Sequence, residues 1–369
     1  MSTATKINLK GLELHELEKL MEEWGQQKFR ARQLMLWLYH KRATNFDEMT
    51  DISKAFRADL MEKAYISQPK LVTKTNSATD DTVKYVFELQ DGNRVESVLI
   101  YDQNRVTVCV STQVGCAQGC AFCATGMMGF VRNLTAAEII DQLMAIESVH
   151  FVHPPNPPSR RGVHSLRLMD LGSGKKATNV VFMGMGEPLA NYEQTMKALR
   201  LMTASEGLMV ASRKITVSTL GLVPKIRAFT NEGLKVGLAV SLNATTNEVR
   251  NRLMPINKKY PIEEVLDASK EWAIKIGRRV TIEYVLIRGV NDSPDDAHRL
   301  CKILHGIPSK LNLIPFNEIE GANFQRPEPE KVEQFRQIVA SKYYVAPVRL
   351  SKGCDIAAAC GQLRTRYHS

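Results

Sequence analysis

The spacing of apolar residues changes along the chain, and each change indicates a different kind of secondary structure. Up to about residue 65, apolar residues recur at the spacing of amphipathic helices. From 69 to 101, two segments with the spacing of strands flank the sequence QDGN at 90–93, and this combination predicts a β-hairpin. We therefore expect a small helical N-terminal domain over 1–66 and a β-hairpin extension over 67–104.

Beyond residue 104, apolar segments typical of strands alternate with helical patterns. Six strands are predicted, at 105–111, 179–183, 214–218, 234–241, 279–287 and 311–316. A capping box from Thr135 to Glu138 predicts the start of the first helix. Alternating strands and helices form a parallel sheet with helical crossovers, so we expect an α/β fold, a partial (β/α)6 TIM-like barrel over 105–369. The functional site of such a barrel lies at the C-terminal ends of its strands.

The composition fits a folded protein with a basic surface. The chain has 369 residues, of which 44% are hydrophobic and 24% charged, so it can bury a core. Lys and Arg outnumber Asp and Glu by 49 to 39, and the net charge of +10 suits a polyanionic partner such as RNA. A moderately basic enzyme without a nucleic-acid substrate is the alternative. No run approaches the roughly 18 apolar residues that span a bilayer, and we expect a cytoplasmic protein without membrane contact.

Two basic regions remain open to more than one interpretation. In the N-terminal domain the basic residues form either an RNA-contacting surface or the solvated face of a helical cap. The segment 150–178 interrupts the alternation of strands and helices and is rich in proline, glycine and basic residues. We expect it to be a surface loop, with RNA contact as the alternative.

Three of the seven cysteines occur within one short segment, at Cys116, Cys120 and Cys123. The spacing C-x3-C-x2-C supplies one thiolate fewer than a 4Fe–4S cluster usually takes. One iron is then open to a small molecule, which favours a catalytic cluster over an electron carrier. A zinc site is the alternative, but zinc usually takes four ligands from paired sets, and no second pair or histidine is nearby.

A second motif, GMGEP at 184–188, follows the predicted strand 179–183. Glycine at 186 allows the backbone to approach a ligand closely, and Glu187 can accept hydrogen bonds from an ammonium group. Further candidates for ligand contact end other predicted strands at the same rim: Ser218, Ser241, Leu242, Asn243 and Asn317. Serine and asparagine are also ordinary helix caps, so each of these residues is ambiguous by itself.

The cysteine spacing, with Phe122 before the last cysteine, resembles the signature of radical S-adenosylmethionine (SAM) enzymes. The resemblance implies one 4Fe–4S cluster per chain on Cys116, Cys120 and Cys123. It also implies that the amino and carboxylate groups of SAM chelate the open iron, and that an electron from the cluster cleaves SAM to a 5′-deoxyadenosyl radical. Gly186 and Glu187 resemble the part of the site that binds the SAM amino group. The strand-end candidates then bind the ribose, carboxylate or adenine.

Other motifs resemble one family within this superfamily. They are DIAAACGQL at 355–363, Cys109 ahead of the cysteine triplet, RVES around Glu96, and MPIN at 254–257. Together they closely resemble the dual-specificity methyltransferases that methylate C2 of an adenosine in 23S rRNA and of the adenosine beside the anticodon in tRNA. The resemblance runs across nearly the whole chain. It implies an external flavodoxin-like or ferredoxin-like electron donor, two SAM molecules per turnover, and a monomer facing a large RNA.

The resemblance also assigns roles to three residues outside the cysteine triplet. Cys360 is the methylated acceptor, Cys109 the thiol that resolves an RNA–enzyme crosslink by forming a disulfide, and Glu96 the base that takes the C2 proton. Such a route suits the chemistry, because C2 of adenine is electron-poor and does not attack a methyl cation donor, whereas a thiolate does. Without the resemblance, Cys109 is an ordinary core cysteine, Glu96 an exposed hairpin charge and Cys360 a mobile tail thiol.

The chain departs from the family pattern at a few positions. Asn243 stands where many relatives have histidine, and Cys354 is an additional thiol close to the acceptor that could form disulfides with Cys109. Two rival functions remain open. One is methylation of C8 of the same rRNA adenosine, and the other is RNA binding by a non-catalytic protein with a structural metal.

Overall fold

The computed structural model describes residues 6–102, 105–151, 177–342 and 346–365. Most of the predicted surface loop at 150–178 therefore lies outside the described residues. None of the helices in these ranges is long and apolar enough to cross a membrane.

The N-terminal region is helical, as the apolar spacing predicts. Its elements are β1 (Ile7–Asn8), α1 (Leu14–Glu23), α2 (Phe29–Met35), a π-helical turn (Leu36–His40), a 3-10 turn (Phe46–Glu48), α3 (Lys54–Lys63) and β2 (Ala64–Tyr65). A capping box between Glu13 and Glu16 starts α1, and the Ser53 side chain caps α3. A buried ion pair of 2.7 Å from Lys10 Nζ to Asp141 Oδ1 attaches this region to the barrel.

One sheet of nine strands forms the centre of the protein. Its strands are β3 (Lys70–Asn76), β4 (Thr82–Glu88), β5 (Arg94–Asp102), β6 (Arg105–Cys109), β9 (Asn179–Phe182), β10 (Ile215–Thr219), β11 (Gly237–Ser241), β12 (Val280–Leu286) and β13 (Ser309–Pro315). The spatial order is β13-β12-β11-β10-β9-β6-β5-β4-β3. A separate two-stranded sheet pairs β7 (Gln113–Gly115) with β8 (Phe130–Asn133).

The six strands from β6 to β13 in this sheet are parallel and coincide with the six predicted strands, so the partial barrel is confirmed. The predicted hairpin is also confirmed, as β4 and β5. The hairpin continues the barrel sheet, because β5 pairs antiparallel with β6. Strand β3 adds a third antiparallel strand that the hairpin pattern alone does not predict.

Helices connect and cover the parallel strands. They are α4 (Ala124–Met127), α5 (Ala136–Phe151), α6 (Tyr192–Thr203), α7 (Val223–Asn231), α8 (Asn247–Leu253), α9 (Ile262–Ile276), α10 (Pro294–Ile303) and α11 (Pro329–Ala340). The predicted capping box of α5 is present, because Thr135 N–H donates to Glu138 and Glu138 N–H donates to Thr135 Oγ1. Apolar side chains of the strands and helices form one large core, and a second, small cluster of buried apolar residues includes Cys120. The C-terminal ends of the parallel strands form a rim, which carries the site.

Candidate active site

A tightly folded loop between β7 and α4 carries the three predicted iron ligands, Cys116, Cys120 and Cys123. The Cys116 N–H donates to the Gly129 carbonyl oxygen at 2.7 Å. Gly115 has φ of 73°, and a Cβ there would lie 2.0 Å from the same oxygen. The loop, which we call the cysteine loop, therefore requires glycine at 115 to bring its ends together.

The thiols of the cysteine loop are largely shielded from water. Burial raises the pKa of Cys116 to about 12 and also raises the pKa values of Cys120 and Cys123. Such thiols stay protonated at neutral pH unless a metal binds them and releases the protons. Within the described residues, no three metal-ligating side chains converge on the position of one ion. A 4Fe–4S cluster makes a different demand, since each thiolate binds its own iron, and three cysteines on one loop fit that donor set.

The carboxylate of Glu187 is buried beside this loop. Its Oε1 accepts a hydrogen bond from the Leu189 N–H at 2.9 Å, and its Oε2 accepts one from the Leu220 N–H at 2.8 Å. Burial raises the pKa of Glu187 to about 7. No cationic side chain of the described residues forms an ion pair with it. A ligand ammonium group would offset the cost of burying this charge, so the residue fits the amino group of SAM.

The glycines of the GMGEP motif allow the backbone to pack closely against β7 and the residues before it. A Cβ at Gly184 would lie 2.6 Å from Ser111 Oγ, and a Cβ at Gly186 would lie 2.5 Å from the Cβ of Gln113. The φ of Gly186 is 96°, which also favours glycine. Gln113 Oε1 accepts the Glu187 N–H at 2.9 Å and so fixes the position of Glu187.

The strand-end candidates lie at the same rim. Ser218 Oγ donates to Glu283 Oε2 at 3.1 Å, and Leu242 N–H donates to the Glu283 carbonyl oxygen at 2.9 Å. Leu242 is fully buried, while Ser241 is half-buried at the end of β11. Polar groups from β10, β11 and β12 therefore meet at one rim, as the barrel topology predicts.

The side chain of Asn243 is occupied by contacts within the protein. Its Oδ1 accepts the Val285 N–H at 2.9 Å, and its Nδ2 lies 3.5 Å from Met254 Sδ. Its φ of 57° lies in the left-handed region, which asparagine adopts more readily than most residues. Asn243 thus ties the end of β11 to β12, and a ligand contact would compete with these hydrogen bonds.

A fully buried arginine, Arg250, forms hydrogen bonds to several segments of the rim. Its guanidinium donates to Asn257 Oδ1 at 2.8 Å. It also donates, at 2.6–3.3 Å, to the backbone carbonyl oxygens of Leu220, Ser241, Leu242 and Tyr260. These acceptors follow β10 and β11 or belong to the segment around the MPIN motif. Arg250 therefore holds together the segments that carry the strand-end candidates.

The C-terminal turn, residues 353–364, crosses the rim and carries Cys360. The Ala124 N–H donates to the Gly361 carbonyl oxygen at 2.7 Å. Thr125 Oγ1 donates to the Leu363 carbonyl oxygen at 2.6 Å. Since Ala124 and Thr125 directly follow the last ligand of the cysteine loop, these bonds bring Cys360 to the predicted iron–sulfur site. Cys360 is therefore part of an ordered contact and not a free tail thiol.

The same turn also reaches Asn317 and Glu96. Asn317 Nδ2 donates to the Cys360 carbonyl oxygen at 3.0 Å, and its Oδ1 accepts a weak bond from the additional thiol Cys354 at 3.6 Å. The Arg364 N–H donates to Glu96 Oε2 at 2.9 Å. The turn thus joins the cysteine loop, the end of β13 and the hairpin strand β5.

Glu96 is buried, with 4% of its surface exposed, whereas an ordinary hairpin charge would face solvent. Burial raises the pKa of its carboxyl group, and the nearby ammonium group of Lys84, 3.4 Å from Oε1, partly opposes this shift. A carboxylate with a raised pKa is a stronger base than an ordinary one and is therefore suited to accept a proton.

Cys109 ends β6 and pairs with Val98 on β5 and Val181 on β9. Burial raises the pKa of its thiol to about 12, negative charge on Cys360 adds to the shift, and Arg349 opposes it. The pKa of Arg349 is itself raised, mainly by Cys360. The two predicted catalytic cysteines therefore interact with each other and with one guanidinium. All seven cysteines are free thiols, so this structure does not support the expected disulfide.

Sequence reasoning did not identify Lys84, Arg250, Glu283 or Arg349. A signal for Lys84 exists, because the hairpin register about the QDGN turn places Lys84 and Glu96 diagonally on one face. The contacts of Arg250, Glu283 and Arg349 join distant segments and leave no local pattern.

The comparisons with known proteins agree with this site. The model of the ribosomal RNA large subunit methyltransferase N-terminal domain matches residues 7–66, and the radical SAM superfamily model matches residues 164–301. The dual-specificity RNA methyltransferase RlmN of Geotalea uraniireducens is 46% identical over 98% of this chain and 97% of its own. That of Geobacter sulfurreducens is also 46% identical, over 98% of this chain and 92% of its own. The chain belongs to the RlmN family of dual-specificity RNA methyltransferases.

A solved structure supports the same assignment at the level of the fold. The radical SAM methyltransferase from Sphaerobacter thermophilus superposes with a TM-score of 0.87 at 43% identity, and covers 97% of this chain and 99% of its own. The predicted radical SAM fold and the resemblance to the RlmN family are thus confirmed. The family implies a 4Fe–4S cluster and SAM, and the residues described above fit both.

Proposed function

We propose that this RlmN-family chain methylates C2 of an adenosine in 23S rRNA and of the adenosine adjacent to the anticodon in tRNAs, using two SAM molecules per turnover. The observation that carries the proposal is the path of the C-terminal turn. Its hydrogen bonds bring Cys360 to the cysteine loop and bring Arg364, four residues later, to the buried Glu96. This arrangement supports a single site in which Cys360 is the methyl acceptor, the cysteine loop holds the radical source and Glu96 is the base.

The cofactors have matching residues in the chain. Cys116, Cys120 and Cys123 hold the 4Fe–4S cluster, and Glu187 binds the SAM amino group. The cluster supplies the electron that cleaves SAM to a 5′-deoxyadenosyl radical. Ser218, Ser241 and Leu242 contact the rest of SAM at the rim, with Gly186 allowing close approach.

The other residues perform the transfer. The Cys360 thiolate attacks the methyl group of one SAM molecule. The bond from this methyl group to the SAM sulfur breaks, S-adenosylhomocysteine leaves, and Cys360 becomes a methyl thioether. A 5′-deoxyadenosyl radical would take a hydrogen atom from this methyl group, and the resulting methylene radical would add to C2 of the adenine. The ring radical would then lose one electron, which the oxidised cluster can accept, while Glu96 takes the C2 proton. Cys109 then attacks the sulfur of Cys360, and the bond from sulfur to the methylene carbon breaks. The electron pair remains on carbon, which takes a proton to become the methyl group, and a Cys109–Cys360 disulfide is left for reduction.

The partners follow from this chemistry. The substrates are 23S rRNA and tRNA, and a flavodoxin-like or ferredoxin-like protein supplies the electron. We further propose that the enzyme acts in the cytoplasm as a monomer, and that the excess of Lys and Arg holds RNA phosphates in a salt-sensitive manner.

Mass spectrometry of nucleosides tests the proposed function directly. The reconstituted protein is incubated anaerobically with SAM, a reductant and unmodified 23S rRNA or tRNA, and the digested RNA is analysed. We expect 2-methyladenosine. Formation of 8-methyladenosine would instead establish the alternative regiochemistry, and SAM cleavage without methylated adenosine would mean a radical enzyme with another substrate.

The ion pair between Lys84 and Glu96 predicts a specific pH dependence. Lys84 partly offsets the raised pKa of Glu96, so this pKa should be higher still in the Lys84→Met variant. As the pH is lowered, the variant should therefore lose activity earlier, at a higher pH than the wild type does. Because a nearby opposite charge favours the ionised carboxylate, its removal should move the acid limb of methylation rate against pH to higher pH. Lys84→Arg keeps the charge and is the control. An unmoved acid limb in Lys84→Met would show that Glu96 does not control it.

A further inference from the structure

An open cavity of about 760 Å³ is lined by residues that follow the C-terminal ends of β11, β12 and β13. The side chains that define its chemistry are those of Arg252, Arg288, Asn323, Phe324 and Gln325. Its lining includes none of the candidate SAM-contacting residues and no residue of the C-terminal turn. We call it the rim cavity.

The rim cavity faces the same side as the active site because of the topology. Arg252 lies on α8, which follows β11, Arg288 follows β12, and the segment 322–325 follows β13. The cavity also adjoins the cysteine loop, since Ala121 N–H donates to the Leu253 carbonyl oxygen at 3.0 Å. The rim cavity and the C-terminal turn that carries Cys360 both lie where the parallel strands end, because Asn317, which follows β13, donates to the Cys360 carbonyl oxygen at 3.0 Å.

The charges of the rim cavity leave one arginine unpaired. Arg288 forms an ion pair with Glu328 at 3.1 Å. Arg252 is exposed, and none of the ion pairs or side-chain hydrogen bonds in the described part of the chain includes it. An exposed guanidinium without a carboxylate partner is suited to bind a phosphate, because its donors match two phosphate oxygens.

An aromatic ring and two amides accompany this charge. Phe324 is half-buried and packs edge-to-face on Phe316, with ring centroids 6.1 Å apart and an angle of 82° between the rings. This contact fixes the orientation of Phe324 while part of the ring borders the cavity. Asn323 and Gln325 are exposed on either side of it. Aromatic rings that stack on bases, amides that bond base edges and arginines that bind phosphates are the groups by which proteins recognise single-stranded RNA.

We propose that the rim cavity binds a nucleotide flanking the target adenosine, with Arg252 on its phosphate and Phe324 stacked on its base. The inference rests on the proposed function, because it assumes that the substrate is RNA. An acidic electron-donor protein would also be attracted to Arg252, but it would not need an oriented aromatic ring between two amides. The observations therefore favour RNA as the occupant.

The test measures RNA affinity of three single variants of the reconstituted enzyme. Fluorescence anisotropy with a labelled, unmodified tRNA anticodon stem-loop gives the Kd over a range of salt concentrations. We expect Arg252→Gln to weaken binding about fivefold to tenfold and to reduce the slope of log K against log salt by about 0.7–0.9. Phe324→Leu keeps an apolar contact with Phe316 but cannot stack, and we expect roughly tenfold weaker binding with an unchanged salt slope.

Arg279→Gln is the matched control. Arg279 is also exposed and outside the ion pairs of the described residues, but it precedes β12 and so lies at the opposite end of the barrel. We expect wild-type affinity, and iron content confirms that each variant keeps the cysteine loop. Equal losses in Arg279→Gln and Arg252→Gln would overturn the inference by showing only a general charge effect. Wild-type RNA affinity in both rim variants, with slower reduction by the electron donor, would also overturn it and assign the cavity to the donor. In both cases RNA methylation by the wild type would still support the proposed function.

Discussion

Replacing Cys360 with alanine should abolish RNA methylation, a loss of more than about a thousandfold, while the iron–sulfur cluster and its reductive cleavage of SAM are retained. The reason is that the proposed cluster ligands belong to the cysteine loop, whereas the hydrogen bonds that join the Cys360 turn to this loop are accepted by backbone carbonyl oxygens of Gly361 and Leu363. The hydrogen bonds that position the C-terminal turn use carbonyl oxygens at 360, 361 and 363, which alanine at 360 keeps. The substitution therefore removes the nucleophile and little else.

The measurement separates the two half-reactions. Nucleoside mass spectrometry reports the methylated base, the iron content and visible spectrum report the cluster, and intact-protein mass reports the thioether methyl group. We expect Cys360→Ala to lack both the methylated base and the protein-bound methyl group. Cys360→Ser should behave in the same way, because a neutral hydroxyl group is a far weaker nucleophile than a thiolate.

Cys354 provides the matched control within the same turn. Its Sγ lies 3.6 Å from Asn317 Oδ1, so it is a neighbouring thiol of the same surroundings. Cys354→Ala should keep methylation, because Cys354 has no role in the proposed transfer. If Cys360→Ala methylated RNA normally, Cys360 would be removed from the mechanism. If Cys354→Ala lost the protein-bound methyl group instead, the acceptor would be Cys354.

Local patterns along the chain predict most of the fold and also the cysteine triplet. The six parallel strands follow from apolar segments between helical patterns, and the cysteine triplet follows from its spacing alone. The start of α5 was also predictable, because the capping box from Thr135 to Glu138 is a local hydrogen-bonding pattern.

Residues whose surroundings come from distant segments were not predictable in the same way. Arg250 is an ordinary basic residue of a short helix in the sequence, yet it is fully buried and bonds carbonyl oxygens up to 30 residues away. The buried Glu96 carboxylate accepts a hydrogen bond from the Arg364 N–H, 268 residues later in the chain. Hydrophobic periodicity carries no information on such contacts, and only the resemblance to the family indicated that Glu96 is functional.

Asn243 shows that a position at the end of a strand does not by itself predict a ligand contact. Its position at the end of a predicted strand suggested a ligand contact, and the strand does end there. The left-handed backbone and the hydrogen bond to Val285 give the side chain a structural use that strand-end position alone does not reveal. A polar residue at the rim is thus a candidate whose role depends on partners from the next strand.

Replacing Cys109 with alanine should trap the enzyme on its RNA. In the proposed transfer, Cys109 acts only after the carbon from Cys360 has joined C2, so its loss should leave this covalent RNA–protein adduct unresolved. We expect most of the RNA bound in a single turnover to migrate with the protein on a denaturing gel, and 2-methyladenosine to fall by more than about a hundredfold. Wild-type enzyme should show little adduct.

Two further variants identify the linkage. The double variant with Cys109→Ala and Cys360→Ala should form no adduct, because the crosslink passes through the sulfur of Cys360. Cys301→Ala is the control for loss of a cysteine that packs partly buried against the core on α10, and it should turn over normally. An adduct that persisted in the double variant would place the crosslink on another residue. Normal methylation by Cys109→Ala without adduct would contradict its role as the resolving thiol.

The surroundings of Cys109 explain why it should attack the sulfur of Cys360 only after the RNA–protein adduct has formed. Its thiol is buried and has a pKa of about 12, so at neutral pH it is almost wholly protonated and unreactive. Negative charge on Cys360 contributes to this shift, and that charge is absent once Cys360 has become a thioether, whereas Arg349 continues to favour the Cys109 thiolate. Loss of that negative charge should favour ionisation of Cys109 at the stage of the proposed transfer when a thiolate is needed. Cys109→Ala removes the proposed resolving thiol and leaves the earlier steps in place, which is why the adduct, rather than free RNA, should accumulate.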